Sequence, residues 1–317
     1  MAEARWRDLV GAVGTMDPGA RNAITDVPGV RVGHSQAESG ERTGVTVVAP
    51  PSLPAPAGSA SINAMGELTG KLEIDERGSI ETPVYLCGTH AVGIVHHAAM
   101  LASGRGPGDV VLPVVGECDD GDMADSRTVV GADVERALAA LSEDFAEGSV
   151  GAGTGMVCFG YPGGIGTASR AVGSHHVGVL ALCNFGDRRY LDVSAAADPA
   201  ASPMPDRGSC ITVCATDAPL STDQLRRLAL RPLLGLARVG SYASDGSGEI
   251  GLAFGVASTE GLARVQLDPY FAAAYEAAHE AVLNCLVAAR PAERLDGTMQ
   301  EAFPIEAVRS AAQGARS

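Results

Sequence analysis

Gly208-Ser209 is where residue types and spacing carry the most chemistry in this 317-residue chain. Upstream, residues 194–207 (SAAADPAASPMPDR) are small and polar and include three prolines, the composition of an exposed, easily cut connection. Downstream, Ile211, Val213 and Ala215 alternate with Cys210, Thr212 and Cys214, a run that suits a buried strand and is too short for a helix. A serine at that junction is held rigidly from one side. Glycine before it can adopt sparsely populated backbone angles that open its carbonyl to the next side chain. An attack by Ser209 on the Gly208 carbonyl, an N-to-O acyl shift and hydrolysis would leave Ser209 as a new N-terminus. Its α-amine, of reference pKa about 7.7, then serves as base for its own hydroxyl, the N-terminal nucleophile arrangement. The same dipeptide also reads as an ordinary turn, and Cys210 beside it is a rival nucleophile whose place in the apolar alternation favours burial.

The surrounding stretches favour the first alternative. GSCITVCATDAPL (208–220) and QLRRLALRPLLGLARVGSYASDGSGEIGLAFG (224–255) resemble the DmpA/BapA family of self-processing aminopeptidases, which includes L-aminopeptidase/D-amino-acid esterases and β-peptidyl aminopeptidases. So do, in order, NAITDVPGVRVGH (22–34), RTGVTVV (42–48), GELTG (66–70), ERGSIETPVYLCGTHAVG (76–93), PVVGECDDG (113–121), EGSVGAGTGM (147–156) and GGIGTASR (163–170). Together they cover most of residues 22–257. The resemblance implies an αββα four-layer sandwich of the α+β class, layered like the N-terminal nucleophile hydrolases but connected differently. It implies one domain over residues 1–317, cut into 1–208 and 209–317, whose two fragments stay together as a heterodimer and assemble into a homo-oligomer. It implies a small peptide, amino-acid amide or ester as substrate, and no cofactor.

The resemblance also assigns roles. Ser247 and Glu249, in SDGSGE, match a serine and a glutamate that contact the nucleophile; a hydroxyl bridging a carboxylate to Ser209 orients it and favours proton removal without histidine. The alternative is a solvated turn. Asn184, in LALCNFG, matches an asparagine that donates to the oxyanion, a role suited to an uncharged N–H; an Asn turning the chain before Gly186 is the plain alternative. Glu117 matches an acidic residue that holds the substrate's free amine, which explains removal of one residue from an N-terminus. The chain departs from the family two positions later. An aromatic residue, commonly tyrosine, often stands there, whereas this chain has Asp119, which when ionised cannot donate to an oxyanion. Asp119 is therefore a second candidate for gripping the amine. The acidic run Glu117, Asp119, Asp120, Asp122 reads otherwise as a solvated face, and no metal site is expected. Acyl transfer to an amine, hydrolysis of nylon-like amides, and a catalytically weak binding protein remain competing functions.

These residues need a frame. Apolar residues make up 46% and charged ones 19%, which argues for a compact body, and a formal charge of −15 argues against nucleic acid and anionic membranes as partners. Cleavage after Gly208 would give fragments of net −12 (14 basic, 26 acidic) and −3 (9 basic, 12 acidic), so shared core, and not charge, must hold them. Residues 1–20 lack a secretory h-region, and no apolar stretch approaches a bilayer span; a soluble, cytoplasmic protein is expected. The seven cysteines show no CxxC pairing and read as reduced core thiols. His96-His97 and His175-His176 lack metal-ligand spacing. The glycine run 148–155 lacks the strand and helix of a phosphate loop and reads as close backbone packing. Strands are expected over 27–33, 44–49, 83–86, 110–115 and 178–182. Helices are expected over 89–103, 133–147, 221–239 (capping box Ser221/Gln224, a kink at Pro232) and 268–289, where Asp268 caps and Pro269 sits in the first turn. The last 25 or so residues read as a tail of uncertain order.

Overall fold

The computed structural model describes residues 4–201, 208–256 and 266–314. In chain order the elements are α1 (Trp6–Leu9), β1 (Arg31–Gln36), β2 (Gly44–Ala49), β3 (Ala55–Ala64), α2 (Lys71–Arg77), β4 (Ser79–Ile80), β5 (Val84–Gly88), α3 (Val92–Ala102), β6 (Val114–Cys118) and α4 (Gly131–Ala139). There follow β7 (Val157–Cys158), β8 (Tyr161–Pro162), β9 (Gly164–Val172), β10 (His175–Asn184), β11 (Gly208–Thr216), α5 (Thr222–Val239), β12 (Ser247–Gly255), α6 (Asp268–Ala288), β13 (Ala292–Glu293), β14 (Met299–Gln300) and α7 (Ile305–Gly314).

Side-chain alternation on the strands builds the layers. A four-stranded sheet runs β1-β2-β5-β6 and a six-stranded sheet runs β4-β3-β12-β11-β10-β9. Val32, Leu86 and Cys118 from the first meet Leu182, Ile211 and Ile250 from the second in one core between the sheets. Val47, Tyr85 and Val115 face the other way, onto Val95 of α3 and Val134 of α4. Cys183, Cys210 and Ala253 face outward onto Leu228 of α5 and Ala277 of α6. Helices, sheet, sheet, helices is the αββα sandwich that was expected, and burying both faces of each sheet is why its strands read as near-continuous apolar runs.

Several boundaries differ from the sequence expectation, each for a physical reason. Val27–Gly29 lie in a turn after a 3₁₀ segment at Ile24–Asp26, so β1 starts later than 27. β6 starts at 114 and not 110, because Val110 is 78% exposed, and the shift places Glu117 inside a strand. α4 stops at Ala139, where the chain leaves to bridge the sheet edge: Ser142 and Val32 exchange backbone hydrogen bonds of 2.9 and 3.0 Å. α3 is preceded by a 3₁₀ turn over 89–91, and α6 begins one residue earlier than a cap at Asp268 requires, with Leu267 as its N-cap. Pro232 lies within α5, which continues on both sides of it. The C-terminal segment is not a loose tail within its described part. Phe303 is buried against Trp6 and Tyr161, with ring centroids 6.3 and 5.4 Å apart, and α7 adds buried Val308. Of the connection expected to be cut, 202–207 lies outside the described residues.

Candidate active site

Strand register brings the candidate residues to one end of the sandwich. β11 pairs with β10 antiparallel and with β12 parallel, which sets Ser209 opposite both Asn184 and Gly248, Gly208 opposite Ser247, and Cys210 opposite Glu249. Paired residues share a face of the sheet. Ser209 therefore points with Ile211 into the space between the sheets, while Gly208, Ser247 and Glu249 belong to the helix-facing side. Ser209 is only 3% exposed, and its Oγ has no hydrogen-bond partner although the Cys118 thiol is within reach. An orphaned buried hydroxyl is uncommon enough to mark a functional candidate.

Space at Gly208 is tight. A Cβ there would lie 2.9 Å from the Asn184 carbonyl oxygen and 3.6 Å from Ser247 Oγ. Cys210 is fully buried on the opposite face from Ser209, and burial pushes its thiol well above the usual range, which removes it as a thiolate nucleophile.

Ser247 begins β12 and is not part of a solvated turn. Asn63 at the end of β3 donates to the carbonyls of Ser244 (2.7 Å) and Ser247 (2.6 Å) and so pins the entry to the strand. Ser247 Oγ donates to Glu249 Oε1 at 2.7 Å, while Glu249 Oε2 has no partner. Burial raises the Glu249 pKa above the ordinary carboxylate range, with Ser247 pulling the other way. In the continuous chain the pair stands beside the Gly208 backbone and is not hydrogen-bonded to Ser209 Oγ.

Asn184 has a determined amide orientation, because its Oδ1 accepts from Val157 N (2.8 Å) and its Nδ2 donates to the Asp119 carbonyl (2.8 Å). Asp119 Oδ1 accepts from Gly121 N at 3.0 Å and closes a tight turn. Neither contact directs the Asp119 carboxylate at Ser209. The rest of the acidic run diverges as well: Asp120 lies buried beneath Gly88, and Asp122 is 3.6 Å from Arg294. Among the described residues no group of three or more His, Cys, Asp or Glu is arranged to hold a metal ion.

Glu117 approaches from the smaller sheet. Its Oε1 accepts from Glu67 N (2.9 Å) and its Oε2 from Thr89 Oγ1, and the residue is 5% exposed with no cation paired to it among the described residues. Burial raises its pKa, and the two hydrogen bonds only partly offset that. Thr89 and Glu67 were not singled out from sequence, although both lie in stretches that carry the family resemblance, THAVG and GELTG. The glycine run 148–155 packs as backbone: a Cβ at Gly148 would be 2.5 Å from the Ala288 carbonyl carbon and one at Gly153 2.6 Å from Gly164 Cα. A cavity of about 990 Å³ lined by Arg5, Arg42, Phe145, Glu147 and Arg290 lies elsewhere and includes none of the candidate residues.

Residues 22–300 match the family model of peptidase family S58. The chain belongs to peptidase family S58. Within that family it is 40% identical to the beta-peptidyl aminopeptidase BapA of Sphingosinicella microcystinivorans, over 95% of this chain and 89% of that protein. Its fold is similar to that of a beta-aminopeptidase from a Burkholderia species, with 37% identity, a TM-score of 0.89 and coverage of 98% and 99% of the two chains. It is also similar to the L-aminopeptidase D-Ala-esterase/amidase of Ochrobactrum anthropi, described as a variant of the Ntn hydrolase fold, with 32% identity, a TM-score of 0.87 and coverage of 98% and 99%. Among the described residues of this S58 chain no helix is long and apolar enough to cross a membrane.

Proposed function

We propose that this protein is a self-processing serine aminopeptidase that releases an N-terminal amino acid from peptides, amides or esters. The observation that carries this reading is the register of β10, β11 and β12. It gathers Ser209, Asn184 and the Ser247–Glu249 pair at one sheet end, with Ser209 and Asn184 on the face turned toward the smaller sheet, whose strand β6 carries Glu117. Ser209 Oγ attacks the Gly208 carbonyl, the acyl group moves from nitrogen to oxygen, and water releases fragment 1–208. The new α-amine arises on the backbone that Ser247 Oγ already flanks, so the Ser247–Glu249 pair is placed to hold and orient it. In turnover the substrate ammonium pairs with Glu117, and Ser209 Oγ attacks its carbonyl while the α-amine takes the hydroxyl proton. Asn184 uses one N–H on the Asp119 carbonyl and keeps the second for the oxyanion. The proton passes to the leaving amine or alcohol, and water hydrolyses the acyl-enzyme. The processed fragments remain a heterodimer, and the heterodimers assemble into a homo-oligomer.

Intact mass spectrometry tests the activation step. Wild-type protein should give fragments of 208 and 109 residues, and Ser209→Ala should stay one chain without activity on an amino-acid p-nitroanilide. A wild-type chain that stays whole, or is cut elsewhere, would falsify the proposal.

A further inference from the structure

Ser209 Oγ is buried and has no hydrogen-bond partner, so what packs against it decides where it points. The smaller sheet supplies that neighbour. A Cβ at Gly116 would lie 3.0 Å from Ile211 Cγ2, so β6 and β11 touch at these two residues across the space between the sheets. Strand side chains return to the same face every second residue. Two residues on from Gly116 stands Cys118, two residues back from Ile211 stands Ser209, and the Cys118 thiol is within hydrogen-bond reach of Ser209 Oγ. Cys183 and Cys210, although adjacent in sequence to Asn184 and Ser209, belong to the core on the helix-facing side.

Cys118 is itself anchored. Its thiol donates to the Leu182 carbonyl at 3.7 Å, on the strand that carries Asn184, and the residue is fully buried. Burial pushes the thiol well above its usual range, so at neutral pH it is an S–H and not a base. A thiol sulfur is a bulky but weak acceptor. With its proton committed to Leu182, it packs against the Ser209 hydroxyl without capturing it, whereas a water or a carbonyl in its place would tie up the hydroxyl proton in a hydrogen bond that attack must break. We propose that Cys118 is a positioning residue for the nucleophile. Anchored on Leu182, it holds Ser209 Oγ in the rotamer that reaches the Gly208 carbonyl in self-cleavage and the substrate carbonyl in turnover. This rests on the role proposed above for Ser209. It also gives the smaller sheet a part in the chemistry that is separate from binding the amine.

The test measures self-cleavage by intact mass, and steady-state kinetics of the processed protein on L-alanine p-nitroanilide, for wild type, Cys118→Ala and Cys118→Ser. A thermal scan of each checks the fold. Cys118→Ala frees Ser209 to rotate, so self-cleavage and kcat should each fall at least about tenfold, the scale of a small misplacement, while KM stays within about twofold. Cys118→Ser keeps a donor for Leu182 and an atom against Ser209 Oγ, and should hold both rates within about threefold of wild type. A merely structural role would lower the melting temperature of Cys118→Ala and leave the rates of the folded protein unchanged. Wild-type rates in Cys118→Ala, or a folded Cys118→Ser as slow as Cys118→Ala, overturn the role of Cys118 and leave the aminopeptidase proposal standing. Should Cys118→Ala not fold, Cys118→Ser decides: rates within that threefold range support the role, and a larger loss in folded protein overturns it. Wild type that neither cuts itself nor hydrolyses the substrate removes the roles of Ser209 and Cys118 together.

Discussion

Among the described residues Glu117 has no cation to balance a buried charge, and that imbalance shapes two opposite expectations. Burial raises its native pKa above the unfolded value of about 4.3. The native state thus holds this proton more tightly than the unfolded chain does. Its contribution to stability is full below the unfolded pKa and is lost as pH rises through the native one. At neutral pH the ionised carboxylate opposes folding, so Glu117→Gln should raise Tm in a thermal scan at pH 7 and show no gain at pH 4. Function runs the other way, because holding an ammonium requires the ionised form. Loss of that charge-assisted contact should lower kcat/KM on free-amine substrates by about ten- to a hundredfold, corresponding to roughly 1.5–3 kcal/mol. In the wild type kcat/KM should fall on the acid side, with a midpoint above the ordinary carboxylate range, and Glu117→Gln should lack that limb. A variant no more stable than wild type, or one with an unchanged acid limb, contradicts this account. Glu117 itself was visible in PVVGECDDG. Its partner Thr89 was not, because a hydroxyl that only touches a carboxylate in space leaves no spacing signal along the chain.

At the scale of elements, the sequence announced those whose sides differ and hid those made of small residues. β2 runs over the expected 44–49, and α5 starts at the expected box, with Ser221 N donating to Gln224 Oε1 at 2.9 Å. β3 gave no signal because Ala55–Ala64 is Ala, Gly, Ser and Pro for most of its length. Those small side chains are what allow α5 to lie against it, with Gly58 under the Arg226 backbone. The same small-residue logic governs the start of β11. In Gly208→Ala the new methyl would stand 2.9 Å from the Asn184 backbone carbonyl oxygen, so the strand start must shift and the scissile carbonyl moves with it. Self-cleavage should slow by about ten- to a hundredfold, the scale of a small misplacement of reacting groups, as followed by gel densitometry. Cleavage at the wild-type rate would show that this contact does not set the geometry. The C-terminal segment was read as a tail because Ala, Arg and Glu dominate it, yet one aromatic anchors it. Phe303→Ala empties the contact with Trp6 and Tyr161 and should cost about 3–5 kcal/mol in urea unfolding; a loss under about 1 kcal/mol would return the segment to the status of a loose tail.

At the scale of the whole molecule, cleavage after Gly208 divides the chain through the middle of its larger sheet. In the order β4-β3-β12-β11-β10-β9, the two central strands belong to the second fragment and the four outer ones to the first. Both sheet-facing cores are shared: Ile211 and Leu252 pack with Val32 and Leu86 between the sheets, and Ala277 and Leu228 pack with Ala168 and Val179 outside. Among the described residues, the layer of α3 and α4 against the smaller sheet is the one core built from one fragment alone. Separation would break the β11–β10 and β12–β3 ladders and expose both faces of two buried strands, while the fragments, at −12 and −3, gain only slight relief from repulsion. The processed protein should therefore elute from a native sizing column as one species holding both fragments in equal amount. It should do so equally at low salt and at about 1 M salt, where the Debye length is near 3 Å, and the two should part only in denaturant. Once parted they should not rejoin efficiently on dilution, because the second fragment alone offers two parallel strands and helices with no partner for their apolar faces. Fragments that separate on raising the salt would show that charge holds them, which their common sign forbids; fragments that separate at low salt would show that the shared sheet is weaker than its burial implies.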